Sequence, residues 1–329
     1  MTTIDAARAA LEKMTGGKSA GARALITKSS APIYPDLHIR LWGQPKMGKS
    51  HLGLDARTHT VYGPPTMDGF KQVGDGELLI ESQPLVVAYA NFDRDAATVI
   101  QNLHDDVLIM SEAFYLDDEG NPFIAPTTAM RNAQLERFKR FLTEATDAGV
   151  DLFQLDGGTI AWEGIRGLLL GAPAGQTPEG EARHLPRQYE APNNEMRGTV
   201  MQRLYGMPMH TVLTTEAGQV WNGQNSAEPD ATEEGGVKLR PDSWNKTDHY
   251  VDASLQMRYA DRNIGGTMTR QHEARYTACI RPPKVGSYIA NPTFAGIFRD
   301  IYPAVPLLKR EDRALFEELK TKFPTLVWK

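Results

Sequence analysis

The chain of 329 residues has a single cysteine, Cys279, so no internal disulfide can form and no cysteine-rich zinc site can be built. It has no apolar run near the roughly 20 residues that a membrane helix needs. Its first residues, from Met1 to Arg8, lack the apolar core of a secretory signal. These absences predict a chain that stays in a reducing cytoplasm and does not enter a membrane. A basic excess is missing too, because 36 Lys and Arg stand against 41 Asp and Glu, a net charge of −5. A protein that coats nucleic acid by bulk attraction carries the opposite sign, so any such binding must use a local patch. The 8 histidines are scattered, with no H-E-x-x-H or other compact metal spacing, and no G-x-S-x-G occurs. Zinc-hydrolase and serine-hydrolase chemistry therefore have no support.

What remains is ordinary globular material, 41% hydrophobic and 23% charged, in a chain long enough to bury a sizeable core. Residues 1–35 read as an N-terminal helix and arm: Asp5 to Met14 has helical spacing, Gly16 and Gly17 stop it, and Lys18 to Pro35 is rich in Ser, Ala, Gly and Pro. The body is expected over residues 36–300 and a C-terminal helical tail over 301–329, with a helix from Arg310 to Lys322. Within the body, Leu37 to Trp42 alternates as a strand, and a helix-compatible run follows from Lys49 to Arg57. Residues 59–77 read as an irregular connection. Leu85 to Ala90, Val107 to Met110 and Val150 to Leu155 are apolar enough for a parallel sheet covered on both faces. A helix fits Thr128 to Ala148, with Leu135, Phe138, Phe141 and Leu142 at three-to-four spacing. Another fits Asn194 to Tyr205, before the strand Thr211 to Thr215. Residues 217–248 suggest a long loop or hairpin. Tyr250 to Tyr259 and Ala274 to Arg281 read as paired strands joined across Ala260 to Thr267. Strands alternating with helices, then a β-hairpin-rich end, predict an α/β fold around a mostly parallel sheet.

The most specific feature is Gly43-Gln44-Pro45-Lys46-Met47-Gly48-Lys49-Ser50, which meets every defined position of G-x-x-x-x-G-K-[ST], the P-loop. Two glycines let the backbone wrap so that its N–H groups face the β- and γ-phosphates of a nucleotide. Lys49 adds a cation, the Ser50 hydroxyl ligates Mg²⁺, and the helix entered at His51 brings the positive end of its dipole. The strand before and the helix after supply the context this motif requires. ATP and Mg²⁺ are the expected cofactors. A second acidic group must hold the metal's water shell, and Asp156, directly after an apolar strand, is the candidate; it could also be a turn residue before Gly157 and Gly158. Asn91-Phe92-Asp93-Arg94-Asp95 follows another strand, taken as a neighbour of the P-loop strand. There Asp93 first, or Asp95, could orient an attacking water, or the stretch could be a solvated turn. Thr214-Thr215-Glu216 ends a further strand on the same side, as a γ-phosphate sensor or as caps.

This order of motifs resembles the RecA-like P-loop ATPases, and most nearly the phage-encoded RecA-like nucleotide-binding proteins that include single-strand-annealing recombination ATPases. The resemblance covers Leu37 to Lys284. It implies a RecA-like fold and ATP hydrolysis by Lys49, Asp93, Asp156 and Glu216. It also implies action on DNA, single-stranded DNA above all, in recombination or annealing. A homo-oligomer in the cytoplasm of a bacterial host follows, with a single-strand-binding protein as a possible partner. Asp93 takes the place of the family's catalytic glutamate on the strand beside the P-loop, one methylene shorter, and Thr215 or Glu216 that of its polar sensor. The DNA loops of such proteins correspond to Gly171 to Asn194 and Ala217 to Trp244. Arg281 and Lys284 match the cations that reach a neighbour's nucleotide.

Residues 238–284 form a local basic patch, with nine basic against five acidic residues. Arg258, Arg262, Arg270 and Arg275 are its candidate DNA contacts, and Trp244, Tyr250, Tyr259 and Tyr276 offer faces for single-stranded bases. A twisted hairpin with solvated arginines fits the composition equally. Two other functions stay open on sequence: a P-loop small-molecule kinase, hinted at by Arg183 and Arg187, and a nucleotide-dependent assembly switch that does not hydrolyse.

Overall fold

The computed structural model describes residues 35–57, 61–62, 71–74, 77–79, 82–83, 85–92, 107–109, 128–170, 189–220, 238–281, 283–303, 307–310 and 313. The chain divides into two units, Met1–Pro35 and Asp36–Lys329. The predicted N-terminal helix and arm, and most of the predicted C-terminal helix, lie outside the described residues. So do Asp93 and Asp95, Arg183 and Arg187, and most of both long polar segments. The chain after Ile301 belongs to the second unit with the body.

The second unit is built on a mixed sheet flanked by helices. Its strands are β1 (His38–Gly43), β6 (Val87–Asn91), β7 (Leu108–Ile109), β8 (Leu152–Asp156), β9 (His210–Gln219), β10 (Leu239–Asp242), β11 (Ala253–Ile264), β12 (Thr267–Cys279) and β13 (Tyr288–Ala290). The order is β13-β12-β11-β1-β9-β8-β6-β7, with β10 also on β9. All neighbours from β11 to β7 pair in parallel, whereas β12, β13 and β10 are antiparallel additions. Two short ladders, β2 (Val61–Tyr62) with β5 (Ser82–Gln83) and β3 (Lys71–Gly74) with β4 (Glu77–Leu79), begin within residues 59–77, read as an irregular connection, and end just beyond it. β6 and β8 are buried along their whole length, as parallel strands with helices on both faces must be.

The helices are α1 (Lys49–Asp55), α2 (Thr128–Asp147), α3 (Gly158–Leu170), α4 (Glu190–Glu195), α5 (Gln202–Gly206) and α6 (Phe294–Ile301), with a π-wound stretch, Met196–Met201, joining α4 to α5. Strand alternation sorts them onto two faces. Phe153, Leu155, Ala88, Ala90 and Leu213 pack with Phe138 and Leu142 of α2, Ala161 and Ile165 of α3, and Met196, Val200 and Leu204. On the opposite face the Gln154 amide donates to the Ser50 carbonyl of α1 at 2.8 Å, and His210 packs against Phe294 and Phe298 of α6. Helix α6 is strongly amphipathic, with Phe294, Ile297, Phe298 and Ile301 buried, and its first turn is capped by Thr293, whose hydroxyl accepts from the Gly296 N–H.

Strands β11 and β12 run longer than their apolar patterns suggest. The last β1 pairing is Trp42 with Gln256, yet β11 continues eight residues further to Ile264, turns through Gly265 and Gly266, and returns as β12. At about 3.3 Å per residue, this ribbon runs roughly 26 Å past the last β1 pairing.

Candidate functional site

The P-loop segment leaves β1 at the carboxyl edge of the sheet and enters α1, as the motif requires. Gly43 lies so close to β11 that a Cβ would sit 2.5 Å from the Met257 carbonyl oxygen, a contact no other residue could make without moving the strand. Gly48 precedes α1 in the left-handed region at φ 76°, where glycine has no steric cost, and Lys46 is held at φ 64°. Gln44, Pro45 and Lys46 are exposed, Met47, Gly48, Lys49 and Ser50 half-buried, and His51 exposed. The Lys49 ammonium donates to the Gly43 and Gln44 carbonyls at 2.9 and 2.8 Å, so the cation is drawn back over the loop's own backbone. Across the loop, the His272 ring on β12 bonds the Met47 carbonyl at 3.0 Å.

Asp156 ends β8 with 5% of its surface exposed. Two residues on from Gln154, it projects from the same face, the one that carries α1. One carboxylate oxygen accepts from the Tyr89 hydroxyl and the other from Thr214, whose hydroxyl in turn accepts from the Gly157 N–H at 3.0 Å. The carboxylate is thus fixed by β6 on one side and β9 on the other. Tyr89 lies inside an apolar run and carries no sequence signal beyond that of a core aromatic. Thr214 belongs to the polar Thr-Thr-Glu end already singled out. Its neighbour Thr215 turns to the opposite face, against Gly158 of α3, with its hydroxyl buried, so it cannot serve as a phosphate sensor. Glu216 is exposed and in register with Gly43.

The strand before Asp93 is not a neighbour of the P-loop strand. β9 lies directly beside β1, β8 next, and β6 only then. A long β9 with hydrogen bonds to both β1 and β8 fills the place expected for β6.

The basic patch is divided. Arg258 and Arg262 both bond the fully buried Glu273 carboxylate, at 3.2 and 2.5 Å, and Arg262 also lies over Tyr288. The two guanidinia hold the Glu273 carboxyl below its usual range, Arg262 with the stronger hydrogen bond. Arg270 lies on the ribbon over Tyr259, 5.2 Å from the ring centroid. Arg275 is exposed on β12 near Gly286. Of the four aromatic faces, Trp244 and Tyr276 are core residues at 0% and 1% exposure and cannot stack on a base. The Trp244 indole N–H donates to Asn193, and Tyr250 packs between Trp244 and Tyr205. Tyr259 alone of the four is exposed, at 45%.

Arg281 follows β12 where that strand ends beside Ala253, at the sheet edge away from the P-loop, and its guanidinium lies over Tyr302. Lys284 is exposed in the next turn. Neither cation can reach its own chain's loop. Among the described residues, no three or more His, Cys, Asp or Glu side chains gather as a metal cage, and no helix is long and apolar enough to cross a membrane. No protein-family model matches this chain, and no curated protein matches it significantly.

Proposed function

We propose that the chain is a RecA-like P-loop ATPase that binds ATP with Mg²⁺ and acts on single-stranded DNA. The observation that carries the reading is the placement of Asp156. Its carboxylate is locked by Tyr89 and Thr214 on the α1 face of the sheet, at the same carboxyl edge from which the P-loop springs. Two strand spacings, about 10 Å, separate β8 from β1. Across that gap Ser50 would hold Mg²⁺ by its hydroxyl and Asp156 would hold the metal's water shell.

The donor set fits the cofactors. Loop amides and Lys49 would receive the β- and γ-phosphates, the ammonium exchanging its present bonds with two neutral carbonyls for charged oxygens. Ser50 would ligate Mg²⁺, which when bound neutralises charge on the phosphates. Asp156, an acceptor whose oxygens already take two hydroxyl bonds, keeps lone pairs for a metal-bound water. Glu216, on the strand beside β1, and Asp93, two residues past β6, are the carboxylates to orient the attacking water. The DNA contact falls to the β11–β12 ribbon, through Arg270 and the exposed face of Tyr259, with Arg275 on the same strand and Arg258 and Arg262 partly neutralised by Glu273. Arg281 and Lys284 would serve only a neighbouring subunit.

The test is ATP turnover with and without single-stranded DNA. Stimulation that Arg270→Ala weakens is expected. Turnover indifferent to DNA removes the DNA part of the reading. Turnover only with a phosphate-accepting small molecule makes the protein a kinase, and tight binding with no turnover makes it a switch.

A further inference from the structure

We propose that His272 positions the phosphate loop, making the projecting ribbon part of the nucleotide site; this rests on the P-loop reading above. The carbonyl of Met47 can only accept, so the His272 Nε2 that lies 3.0 Å from it carries the proton and donates. A peptide unit is planar and trans, so its C=O and N–H point in opposite directions. Turning the Met47 carbonyl toward the His272 ring therefore turns the Gly48 N–H away from that ring. That amide belongs to the second glycine of the motif, the residue at which the loop needs an N–H aimed at phosphate.

The ring also touches the loop sterically. A Cβ at Gly48 would lie 3.2 Å from the His272 Cε1 atom, so His272 closes the space that the glycine leaves. His272 is itself well placed by its surroundings. Its carbonyl accepts from the Asn291 N–H at 2.8 Å, and its ring lies 5.1 Å from Tyr259, over which Arg270 sits. A continuous chain of contacts, Arg270 to Tyr259 to His272 to Met47, thus leads from the ribbon to the loop. Through these contacts a shift of the ribbon would be passed to the 47–48 peptide. His272 acts through that peptide, as a positioning residue, and touches no reacting atom.

The experiment compares His272→Gln with His272→Asn in the full chain. The glutamine amide reaches as far as the imidazole Nε2 and donates, whereas the asparagine amide has the same chemistry but falls short. Mg²⁺-ATP and inorganic pyrophosphate are titrated calorimetrically, with Lys49→Ala as the blank and urea unfolding as the check on folding. Losing one hydrogen bond that preorganises the cradle should weaken both ligands about tenfold in the asparagine variant, while the glutamine variant stays within about threefold of the original. Equal affinities in all three proteins, or a glutamine variant as weak as the asparagine one at unchanged stability, overturn the proposal alone. An original protein that binds neither ligand overturns the P-loop reading and this proposal with it.

Discussion

Acidification below about pH 6.5 should destabilise this protein, because two histidines are held neutral at the amino-terminal edge of the sheet. His210 on β9 is wholly buried between Phe294 and Phe298, and its Nδ1 accepts the Leu37 N–H at 2.9 Å, which requires that nitrogen to be unprotonated. His38 on β1 bonds Thr211 at 2.9 Å and meets the Tyr205 ring edge-on. Burial lowers His38 from 6.5 to about 4. Burial first, then the charge of Arg313, lower His210 well below the same starting value. Both folded values are depressed, so the unfolded chain takes up protons below pH 6.5 that the fold refuses. The stability is complete above that pH and is lost as pH falls. Between about pH 7.5 and about pH 5.5 His38 costs on the order of 1 kcal/mol, and His210 adds to the loss in the same direction. Against the roughly 5–15 kcal/mol a domain possesses, such a loss is measurable. Asp36, Asp151 and Asp252, all raised by burial from 3.8, act in the opposite sense above that value, as their folded forms take up protons more readily than the unfolded chain. Urea unfolding followed by tryptophan fluorescence across this window measures the slope. His38→Gln, which keeps a polar partner for Thr211, should make it shallower whatever it does to stability at neutral pH. A flat wild-type profile, or an unchanged slope in the variant, refutes the reasoning.

Two other outcomes follow from the site. Thr214→Val removes the hydroxyl that accepts from Gly157 and donates to Asp156, stranding a half-buried N–H beside a carboxylate that has lost a donor. About 2 kcal/mol of unfolding free energy should go, and a change within about 0.5 kcal/mol would show that the bridge does not bear on folding. Glu273→Gln removes the charge that Arg258 and Arg262 share. Because its folded value lies below 4.5, the carboxylate's contribution is present above that pH and is lost as pH falls through the folded value. The variant should unfold at lower urea at neutral pH yet bind single-stranded DNA more tightly at low salt, since a positive charge is unmasked on the ribbon; unchanged DNA affinity would count against the ribbon as the contact.

The α/β class was legible because its main signals are local. A phosphate-loop motif has the strand β1 before it and α1 after, and β6 and β8 are short apolar runs that only a doubly covered sheet accommodates. Helix α3 was not legible, because its opening Gly157-Gly158 has the composition of a turn; yet Ala161 and Ile165 at four-residue spacing were its signal. The amphipathic α6, with a threonine cap and four buried residues at helical spacing, was readable and was missed. The ribbon was underestimated because Asp261, Arg262 and Asn263 stand on a strand with two open faces, where no apolar alternation is needed. Trp244 and Tyr276 were misjudged for a related reason, since composition reports that an aromatic is near arginines but not which way it faces. The position of β9 between β1 and β8 is a long-range pairing that no local pattern contains. His272, isolated in a polar stretch, gains meaning only from its bond to the P-loop.

The central claim is that Gly43 to Ser50 forms a nucleotide site, and equilibrium binding of ATP tests it most directly. Titrations of the wild-type chain and Lys49→Ala, each with and without Mg²⁺, should show ATP affinity that the metal strengthens and that the substitution lowers by at least about tenfold, the loss of a charge-assisted contact. Wild-type and variant curves that coincide, or no binding by the wild-type chain at millimolar ATP, would contradict it.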